Sequence, residues 1–256
     1  MITIIKIGGN IIDNPDALDR FLEDFVEIEG YRVLIHGGGV MASELSAKLG
    51  IKTTMHNGRR VTDFETLKIV SMVYAGWINK NIVAKLQSID CNAIGLSGAD
   101  GDCVPAVKRS PIPVDFGYVG DIDPSKINTS FIMSLLERGI TPVFCSITHD
   151  RNSSLLNTNA DTMASGVAIA LSKEDYTRLI YCFEKQGVLA NPEDESSVIP
   201  LIDRKQYEEL KAEKIVKDGM IPKIDNAFYA LDNGVAEVVI KHAANLGNDK
   251  GTLLKI

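Results

Sequence analysis

Several features that mark common protein classes are missing from this 256-residue sequence. Its four cysteines are widely separated and form no CxxC pair, so the sequence indicates neither a zinc knuckle nor a disulfide framework. No apolar stretch reaches about 18 residues, and the N-terminus has no basic segment followed by an apolar run and a cleavage site. These absences predict a protein of the reducing cytoplasm, without membrane spans and without a dedicated metal site.

The charge balance argues against nucleic acid as a partner. The sequence has 34 acidic and 27 basic residues, a formal net charge of −7, and no local cluster of lysine and arginine. A protein that binds nucleic acid neutralises phosphates and therefore needs the opposite sign. The sequence has no internal repeat or low-complexity tract, and 45% hydrophobic residues suit a large folded core.

Apolar runs alternate with amphipathic stretches through most of the chain. This alternation predicts an α/β protein with a mainly parallel sheet covered by helices on both faces. The first two buried strands are expected at residues 2–7 and 32–35. Between residues 104 and 122, alternation around prolines and glycines favours antiparallel hairpins, which would project as a flap. We place the boundary between two lobes near residues 172–177.

A long helix is predicted from about Phe64 to Ile82, because apolar residues recur on one of its faces. Thr62 and Glu65 have the spacing of a capping box at its start. Tyr74 and Trp77 on this helix indicate either core packing or a subunit interface.

Two glycine turns follow consecutive predicted strands. Lys6-Ile7-Gly8-Gly9 ends the first strand, and the second strand runs into His36-Gly37-Gly38-Gly39. Ligands of open α/β sheets bind beyond the carboxyl ends of such strands. Glycines there let backbone N–H groups approach an anion, and a lysine adds positive charge. Taken alone, Lys6 is explained equally well as a strand-end lysine that reaches solvent.

The familiar glycine motifs of other enzyme classes are absent. There is no GxxxxGK[ST] motif, and the glycines after the second strand do not have the GxGxxG spacing, so neither a P-loop nor a dinucleotide fingerprint is present. The HGGG segment resembles an esterase oxyanion loop, but no GxSxG nucleophile motif accompanies it. A serine hydrolase is therefore disfavoured.

Two lysines near opposite ends of the chain, Lys6 and Lys223, suit phosphoryl transfer instead. This reaction needs positioning and positive charge around the transferring group, with little covalent chemistry from the protein. An acidic residue near both lysines would hold them in place, and Asp161 is the candidate. Its alternative role is the N-cap of the helix that follows it.

Five motifs, taken in order, resemble those of the acetylglutamate kinases within the amino acid kinase superfamily. They are KIGG at 6–9, HGGG at 36–39, GRRVT at 58–62, LNTNAD at 156–161 and DGMIPK at 218–223. The resemblance spans essentially the whole chain. It implies a three-layer αβα sandwich and an arginine-biosynthesis enzyme that phosphorylates the γ-carboxylate of N-acetyl-L-glutamate with ATP, whose phosphates carry Mg²⁺.

The resemblance also implies roles for lobes and residues. Residues 1–172 would bind the amino-acid substrate and dimerise, and residues 173–256 would bind ATP. Lys6 and Lys223 would stabilise charge on the transferring phosphoryl group, with Asp161 organising them. The implied substrate contacts are Gly38, Gly39, Arg60, Asn157 and Asn159, and the implied phosphate contacts are Gly8, Gly9 and Gly37. An arginine suits a substrate carboxylate because its planar guanidinium makes paired hydrogen bonds.

Some segments depart from the family pattern. Residues 183–189 lack the usual Thr-Asp or Ser-Asp pair, so the adenosine contacts rest on position alone, with Glu184 and Lys217 as candidates. The sequence begins directly at its first strand, without the N-terminal helix of hexameric, arginine-inhibited members. We therefore expect a homodimer without arginine feedback.

Two alternatives stay open. The same reaction on N-succinyl-L-glutamate would bring one more carboxylate, for which Arg59, Lys108 and Arg109 are available. A non-catalytic sensor of nucleotide or amino acid is the rival from another class. Such a sensor is expected to lose a phosphoryl-handling lysine or the organising aspartate, and this chain retains all three.

Overall fold

The computed structural model of this chain describes residues 1–56, 59–191, 193–216 and 220–256. Within these ranges there are fourteen strands and nine α-helices. The strands are β1 (Ile2–Ile7), β2 (Tyr31–His36), β3 (Thr54–His56), β4 (Arg59–Val61), β5 (Ala93–Leu96), β6 (Ala106–Lys108), β7 (Gly120–Ile122), β8 (Thr141–Cys145), β9 (Ile147–His149), β10 (Leu155–Asn157), β11 (Thr177–Phe183), β12 (Leu201–Ile202), β13 (Glu237–His242) and β14 (Thr252–Leu254). The helices are α1 (Gly9–Ile12), α2 (Pro15–Val26), α3 (Gly39–Lys48), α4 (Phe64–Ser71), α5 (Asn79–Ser88), α6 (Thr129–Leu136), α7 (Ala160–Leu171), α8 (Arg204–Ala212) and α9 (Met220–Asp232).

The central sheet, as far as the described residues go, has eight strands in the order β12-β14-β13-β11-β1-β2-β8-β5. Neighbouring strands are parallel except for the antiparallel pair β13 and β14. All six residues of β1 are buried, as expected for a parallel strand covered on both faces. The predicted α/β class with a mainly parallel sheet is confirmed.

Helices cover both faces of this sheet. Ile2 and Ile4 of β1 belong to a core cluster with α6, α7, α8 and α9. Ile5 and Ile7 belong to a second cluster with α2, α4 and α5. Successive side chains of a strand alternate between faces, so Lys6 shares the face of Ile2 and Ile4, which α7 covers. None of the described helices combines the length and the apolar character needed to cross a membrane.

The antiparallel flap predicted between residues 104 and 122 is present. Ala106 of β6 pairs with Ile122 of β7. The far end of the flap is bonded to the chain after β4, because the Thr62 N–H donates to the Phe116 carbonyl at 2.9 Å. Gly117 lies between these contacts with φ +72°, and a Cβ there would approach the Thr62 carbonyl oxygen to 2.2 Å. Only glycine fits this crossing.

The predicted long helix consists of α4, a π-helical stretch Met72–Ile78, and α5. The predicted capping box at its start is wrong. Asp63 is the N-cap, and its Oδ1 accepts the N–H of Thr66 at 2.7 Å. The Thr62 side chain is fully buried and bonds to Asn157 instead. Aspartate caps a helix as well as threonine does, so the adjacent residue took the role.

The corrected cap makes a stability prediction. Asp63→Ala should lower the free energy of unfolding by about 1 kcal/mol, because the first turn of α4 loses its side-chain acceptor. Glu65→Ala is the matched control, since its exposed ion pair with Lys68 contributes only about 0.3 kcal/mol. Urea unfolding at pH 7 measures both values. Equal losses in the two variants would contradict the assigned cap.

Candidate active site

The two glycine turns lie side by side because β1 and β2 are neighbours in the sheet. A cavity of about 240 Å³ opens beyond the carboxyl ends of these strands. The structure brings most of the predicted site residues to its wall, namely Lys6, Gly9, Gly37, Gly38, Gly39, Arg60, Asn157 and Asn159. This is the place where open α/β sheets bind their ligands.

Asp161 holds the two predicted lysines together. Lys6 Nζ on β1 lies 2.8 Å from Asp161 Oδ1 as an ion pair, and Lys223 Nζ on α9 donates to Oδ2 at 3.2 Å. Burial opposes ionisation of this carboxyl, but the two ammonium groups outweigh burial and hold the pKa of Asp161 at about 2. Two cations share one carboxylate, so one positive charge is left over at the end of β1.

Asp161 is able to face the lysines because another residue caps its helix. Asn159 is the N-cap of α7, and its Oδ1 accepts the N–H groups of Asp161 and Thr162 at 2.9 and 3.0 Å. The alternative role of Asp161 as the N-cap is therefore excluded. The oxygen of Asn159 is committed to the backbone, and a substrate contact through its amide nitrogen stays a prediction.

Arg60 is a buried guanidinium with neutral partners only. Its side chain donates to the Gly39 carbonyl and Ser43 Oγ, both at 2.8 Å, and to Thr53 Oγ1 at 3.3 Å. The residue is 9% exposed, and no carboxylate of the described residues lies within ion-pair distance. A buried charge without a counter-charge is costly. Arg60 therefore has the electrostatics of a site prepared for an anionic ligand.

Thr62 is a site residue that sequence reasoning missed. Its Oγ1 accepts the Nδ2–H of Asn157 at 3.0 Å and donates to the Arg60 carbonyl at 3.3 Å. One hydroxyl thus links the side chain of Asn157 to the main chain of Arg60, two of the five predicted substrate contacts. The capping-box spacing concealed this role, because it offered a sufficient local explanation for Thr62.

Tyr74 is a second residue that sequence reasoning placed elsewhere. The π-helical stretch brings its ring to the cavity wall beside Arg60. Gly38, with φ +155°, packs directly on this stretch, and a Cβ there would lie 2.2 Å from Ile78 Cδ1 and 3.0 Å from the Tyr74 ring. Burial raises the pKa of Tyr74, and the positive charge of Arg60 opposes that rise. Trp77, by contrast, is 65% exposed.

His36 ends β2 but does not have the state of a general base. Its Nδ1 lies 2.8 Å from the Gly37 carbonyl, and its Nε2 lies 3.0 Å from Asn79 Nδ2, so both ring nitrogens have partners. Burial lowers the pKa of His36 to about 4. The ring is therefore neutral near pH 7, in agreement with its interpretation as a strand-end residue.

The predicted phosphate contacts Gly8 and Gly9 differ in whether their backbone N–H groups are already hydrogen-bonded. The Gly8 N–H donates to the Cys182 carbonyl at 3.2 Å and so continues the sheet, whereas the Gly9 N–H, the first of α1, makes no bond within the described residues. Gly9 is therefore better placed than Gly8 to donate its amide N–H to a ligand.

The predicted nucleotide contacts are Glu184 and Lys217. Glu184 is exposed and is not part of the cavity wall. Lys217 lies outside the described residues, so both nucleotide contacts stay predictions.

Known proteins resemble this chain over nearly its whole length. Residues 1–242 match the model of the amino acid kinase family. The chain belongs to the amino acid kinase family. This member is 50% identical over 254 residues to the acetylglutamate kinase of Phocaeicola vulgatus, covering 99% of this chain and 98% of the relative. It is 53% identical to the acetylglutamate kinase of Cytophaga hutchinsonii, covering 95% and 92%.

A solved structure gives the same result for the fold of this amino acid kinase family member. The crystal structure of smu.665 from Streptococcus mutans superposes with a TM-score of 0.81 at 29% identity, covering 99% of this chain and 98% of that chain. The αβα sandwich implied by the five sequence motifs is confirmed.

The buried state of His36 predicts a pH dependence of stability. The unfolded chain binds a proton at His36 below pH 6.5, but the folded chain does so only below about pH 4, so stability falls as the pH falls through this window. Between pH 7.5 and 5.0 the wild type should lose about 2 kcal/mol more unfolding free energy than His36→Gln. Urea titrations at the two pH values measure the difference. The exposed His56, replaced by Gln, is the control for the same exchange outside the core.

Proposed function

We propose that this protein catalyses the ATP-dependent phosphorylation of the γ-carboxylate of N-acetyl-L-glutamate, which yields N-acetyl-L-glutamyl 5-phosphate and ADP. The observation that carries the proposal is the pair of lysines on Asp161, beside a buried arginine that has no carboxylate partner among the described residues. The lysine pair supports phosphoryl transfer, and the buried arginine supports a phosphoryl acceptor that carries a carboxylate. The curated relatives named acetylglutamate kinase support this substrate in particular.

The proposed reaction needs no general base. The γ-carboxylate is ionised at pH 7 and attacks the γ-phosphorus of ATP directly. A carboxylate oxygen–phosphorus bond forms, the bond to the bridging oxygen breaks, and its electron pair leaves with ADP. Lys6 and Lys223 supply positive charge to the transferring group, while Asp161 fixes both ammonium groups without cancelling their combined charge.

Arg60 is the proposed contact of the substrate α-carboxylate. A guanidinium has five N–H donors, and the described contacts of Arg60 occupy three of them. Both N–H groups of Nη2 and one of Nη1 are in use, so a paired contact with a carboxylate would take over the Nη2–H that now serves Ser43 Oγ. Because Gly39, Ser43 and Thr53 already fix the group, little side-chain freedom is lost on binding.

The lobes and the assembly are also proposals. Residues 173–256 are assigned to ATP, which brings Mg²⁺ on its phosphates, and residues 1–172 to the amino acid and to dimerisation. The sheet order supports this division, because β11–β14 form one side of it and β1, β2, β5 and β8 the other. The exposed Met72 and Trp77 on the π-helical stretch support a homodimer. The cytoplasm and arginine biosynthesis are the proposed setting.

A coupled assay tests the function. ADP release should depend on N-acetyl-L-glutamate, and hydroxylamine should trap the acyl phosphate as a hydroxamate. Binding of both ligands without hydroxamate would instead identify a non-catalytic sensor. L-Glutamate, which lacks the acyl group, is the matched control and should turn over poorly.

Lys6→Ala should lower kcat by about two to three orders of magnitude, the scale of losing one preorganised charge-stabilising donor. Lys205→Ala removes the same charge from the surface of α8, where the side chain is 88% exposed, and should leave kcat unchanged. Thermal unfolding of both variants checks that the fold is retained. Turnover of Lys6→Ala within about fivefold of wild type would remove Lys6 from the chemistry.

Arg60→Lys should raise KM for the amino-acid substrate by about tenfold or more, with a smaller effect on kcat, because a point charge replaces a planar fork. Arg138→Lys makes the same exchange on the surface after α6 and is the control. Initial rates at saturating ATP give both constants. An unchanged KM in Arg60→Lys would count against the assigned carboxylate contact.

A further inference from the structure

Two further arginines, Arg59 and Arg109, lie on the wall of the cavity that contains Arg60. The proposed function uses neither of them. We infer that Arg59 and Arg109 form a second anion subsite, which recognises an N-acyl group that carries its own carboxylate, such as the succinyl group. This inference rests on the proposed function and refines its substrate class.

Arg109 is held in a fixed position. Its Nε donates to both oxygens of Asp121, at 3.0 and 3.1 Å, and its guanidinium carbon lies 5.4 Å from the centre of the Phe116 ring. The side chain is 18% exposed. An arginine fixed by a carboxylate and an aromatic face keeps its remaining N–H groups in one orientation, which suits recognition of a planar anion.

Arg59 has no carboxylate of its own among the described residues. It precedes Arg60 on β4 and faces the same cavity. Burial lowers the pKa of Arg59, the positive charge of Arg109 lowers it further, and Asp121 only partly compensates. Two guanidinium groups therefore lie close to each other, and the Asp121 carboxylate beside them pairs with Arg109. An incoming anion would relieve their repulsion.

Among the described residues, the charges around the cavity form three groups, each with one positive charge in excess. Lys6 and Lys223 share Asp161, Arg60 has no ion-pair partner among these residues, and Arg59 lies near the ion pair of Arg109 with Asp121. The γ- and α-carboxylates of N-acetyl-L-glutamate match the first two groups. The third group has no counterpart in that substrate. A carboxylate at the end of the acyl group would supply one.

The cavity also has apolar wall beside these arginines. Met55 on β3 and Val119 before β7 line it and offer contact to methylene groups. The third cation named from the sequence, Lys108, is not on this wall, and its ammonium group lies 4.8 Å from the centre of the Tyr118 ring. The structure thus selects two of the three candidate cations.

A comparison of three substrates separates charge from length. N-butyryl-L-glutamate has nearly the shape of N-succinyl-L-glutamate without its terminal carboxylate, and N-acetyl-L-glutamate is the short reference. We expect kcat/KM to be at least about tenfold higher for the succinyl than for the butyryl compound, the scale of one charge-assisted hydrogen bond. A succinyl value no higher than the butyryl value would overturn the subsite. No hydroxamate from any of the three would instead overturn the proposed function.

Variants locate the effect. Arg59→Gln and Arg109→Gln should each lower the succinyl-to-butyryl ratio of kcat/KM by about tenfold, because each removes one cation from the subsite. Lys108→Gln removes a neighbouring charge that is not part of the cavity wall and lies over the Tyr118 ring, so it is the matched control and should keep the ratio within about twofold. An unchanged ratio in both arginine variants, or an equal fall in Lys108→Gln, would overturn the subsite. Arg59 is exposed, so its replacement leaves the core intact and keeps the test valid if Arg109→Gln disturbs the flap.

Discussion

The site depends on one buried carboxylate that pairs with lysines from opposite ends of the chain. Asp161 lies in the first turn of α7, which covers β1, Lys6 is the penultimate residue of β1, and Lys223 comes from α9. Without the carboxylate, two ammonium groups would repel each other in a poorly solvated position. With it, they keep one net positive charge at the place proposed for the transferring phosphoryl group. Asn159 caps α7 by accepting the N–H groups of Asp161 and Thr162. The Asp161 carboxylate is therefore not needed as a cap and can pair with the lysines.

A second constraint couples the glycine turn after β2 to the π-helical stretch. The backbone at Gly38 lies so close to Ile78 and Tyr74 that no Cβ fits between them. The turn therefore requires glycine. The π-helical stretch on the other side of this contact carries Tyr74, whose ring lies beside Arg60. π-Helical segments are uncommon and are often found at functional sites. Here the same stretch presents Tyr74 to the cavity and Trp77 to the surface. A subunit contact through Trp77 would therefore involve the same π-helical stretch that lines the cavity.

Sequence patterns predicted the parts of this fold that follow from periodicity and chemistry. Continuous apolar runs indicated the buried parallel strands, and the need for paired positive charge around a phosphoryl group pointed to Lys6, Lys223 and Asp161. The sequence could not predict which of two adjacent residues takes a role when that depends on a contact with a distant part of the chain. Thr62 and Asp63 are both good N-caps, but the Thr62 hydroxyl bonds to the buried Asn157 and Asp63 caps the helix. Likewise, the Gly8 amide is committed only because β11 lies beside β1, a pairing between residues more than 170 positions apart.

The distribution of charge explains how an acidic protein can favour an acidic substrate. The chain has a formal net charge of −7, yet the cavity wall carries Lys6 and three arginines. Positive groups enclosed by low-dielectric walls focus their field into the cavity, so the local sign is opposite to the global one. Burying Arg60 with no counter-charge among the described residues costs stability in the free protein, and an anionic ligand would return that energy on binding. Because each cationic group is offset in space from the others, the proposed subsites would distinguish ligands by the positions of their negative charges as well as by their number.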